Sequence, residues 1–198
     1  MDPAVAQIYG LGYGLWRPEV TPEVEQAALE HHLARRSQRG QVWWTWAEGV
    51  VYAEPLVTPP VFFIQVRHLR KTARLKYQSW GDLRVPGGAW MVNERTEVLL
   101  IVEGLFDMLV LATVLRRLGR LGRWVPLYTA GGGSRPQIEW IREKARDVDV
   151  LLIPDPDPAG KEWATRLKRI LRKRVQGVFI PPGMNPDEAV LNGWWPFG

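Results

Sequence analysis

The sequence contains no cysteine in its 198 residues, and this absence excludes several classes of protein. A disulfide framework, a thiolate zinc site, an iron–sulfur cluster and a cysteine nucleophile all need the missing side chain. Only three histidines are present, His31, His32 and His68, so a histidine-based metal site is poorly supplied as well. We therefore predict a protein without zinc.

Long apolar runs are also missing. The longest near-continuous one, Met108 to Leu115, is well under half of the roughly 20 residues that a membrane span needs. The start, Met1-Asp2-Pro3, lacks the basic segment and apolar stretch of a secretory signal. These features predict a cytoplasmic protein with no membrane partner. Hydrophobic residues make up 46% of the 198 residues, which is enough to bury a core.

Basic residues exceed acidic ones by 26 to 21, and most of them fall in three clusters. Such clusters attract phosphate backbones, although each one alone also suits a solvated helix face. The 11 tryptophans can likewise stack on bases, but packing in a core is their more frequent use. The clusters are Arg67, Arg70, Lys71, Arg74 and Lys76; Arg116, Arg117, Arg120 and Arg123; and Arg166, Lys168, Arg169, Arg172, Lys173 and Arg174.

A regular alternation of strands and helices begins after residues 93–97. Apolar runs and helical spacing predict strands at 98–102, 124–128, 148–153 and 177–180, and helices at 105–118, 136–146, 158–174 and 186–191. This order predicts an α/β fold with a parallel sheet of about four strands and helices on both faces. Pro126 indicates that the second strand lies at an edge of the sheet.

The first half of the chain is less regular and rich in Gly, Pro and Trp. It predicts a smaller mixed α+β subdomain, with a helix at 21–36 and strands at 42–51 and 61–69. We therefore divide the chain into a basic, Trp-rich subdomain at 1–95, an α/β domain at 96–193 and a tail at 194–198.

Acidic side chains follow two strands of the predicted sheet. Glu103 comes directly after one strand and Asp107 lies four residues on, while Asp155 and Asp157 follow another. Because the carboxyl ends of parallel strands meet at one edge, these acids should meet in space, and a divalent cation is the simplest way to keep them ionised. Asp107 and Asp157 also suit ordinary helix starts, which leaves Glu103 and Asp155 without a structural explanation.

The two acidic motifs, E-G-x-x-D at 103–107 and D-x-D-x-x-G-K at 155–161, resemble the TOPRIM domain of DnaG-type primases, topoisomerases and some nucleases. The resemblance covers residues 98–190. The segments 74–79 (R-L-K-Y-Q-S) and 11–13 (L-G-Y) are similar to segments of DnaG-type, phage and mobile-element primases, and they favour a primase. The loop 181–188 also resembles a primase segment, but Asn185 stands where the family usually has Asp, and only Asp187 remains.

The resemblance implies a primase catalytic core that makes short RNA primers on single-stranded DNA by nucleotidyl transfer, with Mg²⁺ or Mn²⁺, two ions in all. It makes Glu103 the acid/base or a metal contact and Asp155 and Asp157 metal ligands. Asp107 and Asp187 either support the metal ligands without touching the metal or become peripheral metal contacts, and Gly104 and Gly160 are structural glycines. The residues implied to bind template or nucleoside triphosphate are Arg67, Arg70, Arg74, Lys76, Tyr77 and Lys161.

Two alternatives stay open. Since the chain cannot build the family's zinc module, a separate zinc module or a replicative helicase is an expected partner. The missing module and Asn185 also fit a DNA-binding accessory module of a mobile element that has no polymerase activity. A TOPRIM nuclease is the third possibility.

Overall fold

The computed structural model describes residues 2–16, 22–30, 34–44, 47–53, 63–69, 77–81, 83–130, 132–171, 175–178, 180–181 and 183–195. The chain forms two compact units. One is Ala6–Leu83, and the other combines Met1–Val5 with Arg84–Gly198. The functional division at 95 stays a prediction.

The first unit is built on an antiparallel sheet of four strands. Its order is β1-β4-β5-β6, and a separate pair is formed by β2 and β3. Val66 and Tyr52 are fully buried in the sheet. The elements in chain order are α1 (Pro3–Ile8), β1 (Gly12–Trp16), α2 (Pro22–Glu30), β2 (Ala34–Arg36), β3 (Val42–Trp44), β4 (Ala47–Ala53), β5 (Phe63–His68) and β6 (Tyr77–Gly81).

The predicted helix at 21–36 is wrong at 34–36, which form strand β2, and residues 31–33 lie outside the described residues. This strand pairs with β3 through a tight turn in which the Ser37 N–H donates to the Gln41 carbonyl at 2.7 Å. Gly40 supplies the left-handed backbone that the turn requires, with φ of 79°. The predicted single strand at 42–51 is two strands, β3 and β4, and residues 45–46 between them lie outside the described residues.

The second unit is built on a parallel sheet of four strands, as the sequence predicted. Its strands are β7 (Val98–Val102), β8 (Trp124–Tyr128), β9 (Asp149–Leu152) and β10 (Val175–Gly177), in the order β10-β9-β7-β8. The residues of β7 from Leu99 to Val102 are fully buried, which explains their continuous apolar run. Strand β8 lies at an edge, as Pro126 indicated, and Gly87 bridges to Tyr128 beside it.

Helices cover both faces of this sheet, which confirms the predicted fold class. They are α3 (Leu105–Arg117), α4 (Arg135–Lys144), α5 (Pro158–Leu171) and α6 (Pro186–Leu191). Helix α3 contacts β7, β8 and α6, whereas α4 and α5 pack on alternate residues of the strands. No helix of the described residues has the length and apolar character of a membrane span. The α4/α5 core consists of Leu99, Ile101, Val125, Leu127, Ile141, Ala145, Val150, Leu152, Trp163, Ala164, Leu167 and Leu171.

Element ends differ from prediction by a few residues. The predicted fourth strand at 177–180 is shifted, because β10 pairs with β9 over 175–177. Of the predicted tail, Trp194 is attached to α6 through its N–H, which donates to the Ala189 carbonyl at 2.9 Å. Residues 196–198 lie outside the described residues.

Candidate metal centre

Glu103 and Asp155 lie side by side at the carboxyl edge of the parallel sheet. Strands β7 and β9 are neighbours, and the Ile153 N–H continues their pairing by donating to the Ile101 carbonyl at 2.9 Å. Beyond this point, the segments that follow β7 and β9 leave the sheet at the same edge. The Asp155 backbone N–H is 3.4 Å from the Glu103 Oε1 that accepts it, although the two residues are 52 positions apart in the chain.

Asp157 directly precedes helix α5 and also belongs to this edge. Its Oδ1 accepts the Gly160 N–H at 2.7 Å, which is ordinary helix-start chemistry. Its negative charge nevertheless contributes to the raised pKa of Glu103, so it lies within electrostatic reach of that carboxyl. Asp157 therefore caps helix α5 and still lies close enough to interact with Glu103.

Gly160 permits the close approach of helix α5 to the acidic loop. A Cβ at this buried position would lie 2.9 Å from both the Asp155 nitrogen and Glu103 Oε1, and nearer still to the Asp155 carbonyl. A side chain is less strongly excluded at Gly104, because a Cβ there would meet only the end of the Asp107 side chain, at 2.5 Å, and no backbone atom. Of the two predicted structural glycines, Gly160 is therefore the more restrictive.

A second pair of acids consists of Asp107 in helix α3 and Asp187 in helix α6, which are linked by a hydrogen bond. Asp107 Oδ1 accepts the backbone N–H of Asp187 at 3.1 Å. The pKa of Asp107 is raised to about 7, mainly by burial and then by the negative charges of Asp187 and Asp155. An acid in the first turn of a helix would ordinarily stay ionised, so burial and the neighbouring acids outweigh the helix dipole here.

The pKa of Glu103 is also raised to about 7. Burial is the largest cause and the charge of Asp155 comes next, while the hydrogen bond from the Asp155 N–H acts in the opposite direction. Mutually repelling carboxylates of this kind favour a divalent cation, because its charge stabilises their ionised forms. The described residues include no three His, Asp or Glu side chains already arranged around a common ion, so the acids are grouped in pairs.

Without metal, the stability of the protein is expected to fall as the pH rises from about 5 to about 8. The folded pKa values of Glu103 and Asp107, about 7, lie above the ordinary values of 4.5 and 3.8. The folded chain therefore binds more protons than the unfolded chain in this window, and the free energy of unfolding decreases with rising pH. Mg²⁺ should restore stability near pH 8 and do little near pH 5, because it binds ionised carboxylates. Thermal melts in EDTA and in Mg²⁺ measure both effects, and an equal Mg²⁺ shift at the two pH values contradicts the expectation.

The predicted nucleic-acid residues lie partly within the described structure. Arg67 and Tyr77 are paired across β5 and β6, with Arg67 Nη1 donating to the Tyr77 hydroxyl at 3.4 Å and the guanidinium 5.7 Å from the ring centroid. Lys161 is exposed in the first turn of α5, close in sequence to Asp157. Arg70, Arg74 and Lys76 lie outside the described residues.

Sequence reasoning missed that Arg67 and Tyr77 belong to a polar row on the first sheet. Gln65 Nε2 donates to Ser79 Oγ at 3.0 Å in the neighbouring register pair, so the row continues along both strands. Gln65 and Arg67 are two positions apart in the sequence, as are Tyr77 and Ser79. Residues spaced by two lie on the same face of a strand, so this spacing could have predicted the row.

Comparison with known proteins agrees with this geometry. Residues 100–190 match the family model described as Toprim-like, which confirms the resemblance found over 98–190. No curated protein sequence matches the chain significantly.

Three solved structures share the fold at low sequence identity. The DnaG primase catalytic domain bound to ssDNA has a TM-score of 0.72 and 19% identity, over 96% of this chain and 66% of that chain. The RNA polymerase domain of Mycobacterium tuberculosis primase DnaG, in complex with a DNA oligomer, has a TM-score of 0.66 and 17% identity, over 97% and 66%. The primase fragment of the bacteriophage T7 primase-helicase protein has a TM-score of 0.53 and 14% identity, over 91% of this chain and 75% of that chain.

The chain thus spans about two thirds of the length of the first two structures, at 66% of each. Residues 100–190 are thus similar to the Toprim-like family, and the chain has the fold of DnaG-type primase catalytic domains.

Proposed function

We propose that this chain is the catalytic core of a DnaG-type primase, a DNA-directed nucleotidyltransferase that synthesises short RNA primers for DNA replication. The observation that carries the proposal is the meeting of Glu103 with Asp155 at the ends of neighbouring parallel strands. The fold shared with primase catalytic domains supports the same reading. Neither acid is needed to close the sheet, so a chemical role accounts for their placement.

In this proposal Glu103, Asp155 and Asp157 hold Mg²⁺ or Mn²⁺, and Asp107 with Asp187 provides a peripheral position for a second ion. The donor set fits, because carboxylate oxygens are the ligands that these hard cations prefer. The two raised pKa values agree with the fit, since a bound cation favours the ionised carboxylates. When bound, the ions neutralise phosphate charge and lower the pKa of a coordinated oxygen.

The remaining roles belong to the chain itself. As the alternative to a metal contact, Glu103 is positioned beside Asp155 to accept the proton of the attacking hydroxyl as the general base. Lys161 is available to bind a phosphate, and the Arg67–Tyr77 pair offers a charge and a ring on which a base can stack. Arg70, Arg74 and Lys76 complete the proposed set for template and nucleotide.

The partners follow from the reaction. A template-copying enzyme needs single-stranded DNA and nucleoside triphosphates, and we propose that it acts in the cytoplasm. One structure with the same fold is bound to ssDNA, which supports a DNA template. Another belongs to a primase-helicase protein, which supports a replicative helicase as a partner. A separate zinc module would supply the template selection for which this sequence has no cysteines.

Primer synthesis can be tested directly. Purified protein is incubated with several single-stranded templates, labelled nucleoside triphosphates and either Mg²⁺ or Mn²⁺, with and without a supplied zinc module. We expect short RNA products that EDTA eliminates. If neither metal yields products on any template, with or without the zinc module, the proposal is wrong.

A second candidate is an accessory DNA-binding module without polymerase activity. It is favoured by Asn185 at a usually acidic position and by the absence, among the described residues, of three acids already placed around one ion. Salt-dependent binding of single-stranded DNA that survives a combined Glu103→Gln, Asp155→Asn and Asp157→Asn change, without synthesis in the parent, would favour this candidate. Mg²⁺-dependent nicking of supercoiled plasmid would instead show a nuclease.

Replacing Asn185 by Asp is expected to raise metal affinity without loss of stability. Asn185 is the N-cap of α6, and its backbone N–H donates to the Glu188 carboxylate at 3.1 Å. Because Asp caps helices as well as Asn does, the free energy of unfolding should change by less than about 0.5 kcal/mol. The added carboxylate should lower the Mn²⁺ dissociation constant several-fold, as measured by calorimetry. Asn185→Ala is the control, since it removes the cap at a cost of about 1 kcal/mol and adds no charge.

A further inference from the structure

A pocket of about 410 Å³ lies between helices α4 and α5 of the second unit. Ile138 and Ile170 provide its apolar lining, and Arg135, Arg142 and Arg166 surround them. This volume is within the range of about 300–1,000 Å³ that is usual for small-ligand pockets. The pocket shares no residue with the carboxylate cluster.

The positive charge of the pocket is only partly compensated. Arg135 Nε donates to Glu139 at 2.8 Å, so these two residues form an ion pair of their own. The side chains of Arg142 and Arg166 make no ion pair or hydrogen bond with another residue in the part of the chain that the structure describes. Two guanidinium groups are therefore available to an anion.

The position of Arg166 is shaped by the glycine turn that precedes α4. Its Nη2 would lie 3.1 Å from a Cβ added at Gly132, so the guanidinium occupies the space that the missing side chain leaves open. Gly133, in the left-handed conformation with φ of 75°, belongs to the pocket lining. The turn thus leaves room for a charged group of α5 beside the apolar lining, at the point where α4 begins.

We propose that this pocket binds the phosphate ester of a nucleoside, either as a free nucleotide or as part of a nucleic-acid strand. Arg142 and Arg166 bind the phosphate, because the guanidinium fork matches phosphate oxygens. Ile138 and Ile170 provide an apolar surface for one face of the base. An acidic peptide fits less well, since peptides are usually bound at a sheet edge or along an extended groove.

The test uses conditions in which the carboxylate cluster cannot bind metal. The full chain carrying Asp155→Asn is titrated in EDTA with AMP and with a short oligothymidylate, with and without a 5′-phosphate, by calorimetry. We expect binding that Arg142→Gln and Arg166→Gln each weaken about tenfold or more, as loss of a charged hydrogen bond predicts. Arg169→Gln, an exposed change of the same charge on the same helix, should leave it unaltered.

Every outcome bears on the proposal. Binding of AMP identifies a free-nucleotide pocket, whereas binding of the oligonucleotide alone identifies a strand phosphate. The proposal is overturned if neither probe binds, if Arg169→Gln weakens binding as much as Arg166→Gln, or if an acidic peptide binds in place of both probes. Because the measurement excludes divalent cations and synthesis, its failure is separate from failure of the proposed primase activity.

Discussion

Replacing Asp155 by asparagine is expected to reduce metal-dependent primer synthesis by about a thousandfold, since a metal-stabilised transition state is worth several kcal/mol. Asparagine keeps the shape of the side chain and removes its charge. The backbone N–H that donates to Glu103 is unchanged. The loss should therefore come from weaker cation binding, with little change in the fold. Primer synthesis at saturating Mn²⁺, together with a thermal melt, measures the two effects separately.

Asp149→Asn is the matched control for this change. Asp149 begins the same strand, β9, and is exposed at its opposite end. Removal of its charge should leave synthesis within about twofold of the parent, because exposed charges away from a site have small effects. Equal losses in the two variants would show that a general change of charge is responsible, and the assignment of Asp155 would then be wrong.

Replacing Gly160 by alanine is expected to lower both stability and activity. The added methyl group would meet the backbone of Asp155 and the Glu103 carboxylate, so helix α5 or the acidic loop must move. Overpacking against backbone should cost about 2–3 kcal/mol, or roughly 5–10 °C in Tm for a chain of this size. A displacement near 1 Å of the acids should also lower synthesis about a hundredfold.

Gly132→Ala is the control for this second prediction. A Cβ at Gly132 would contact only the end of the flexible Arg166 side chain, at 3.1 Å. The side chain can turn away, so the change in free energy of unfolding should stay below about 1 kcal/mol. A Gly160→Ala protein that melts and synthesises like the parent would show that the close approach of α5 has no part in positioning the acids.

The second unit could be predicted because its signals are local. The run of β7 is apolar throughout since both faces of the sheet are covered, and Pro126 correctly indicated an edge. The meeting of Glu103 and Asp155 followed from one rule, that neighbouring parallel strands end at the same side. No sequence pattern could give the pKa of Asp107, because it depends on burial and on Asp187, which is 80 residues away.

The first unit was harder to predict because its pairing is less local. Strand β1 contains alternating glycines, Gly12 and Gly14, which conceal any period of two, and its partner β4 begins only at Ala47. Strand β2 follows a helical segment without a strong stop signal, so the helix was extended through it. Tertiary pairing outweighs local preference in such segments.

The edge strand β8 has a consequence for association between molecules. Along its outer side, the Trp124 N–H donates to the Arg120 carbonyl at 2.9 Å and the Tyr128 N–H donates to the Gly87 carbonyl at 3.1 Å. Pro126, between them, has no N–H. An incoming strand would therefore find no free donor on this side of β8, and the sheet is protected against growth by strand addition and hence against fibre formation from this edge.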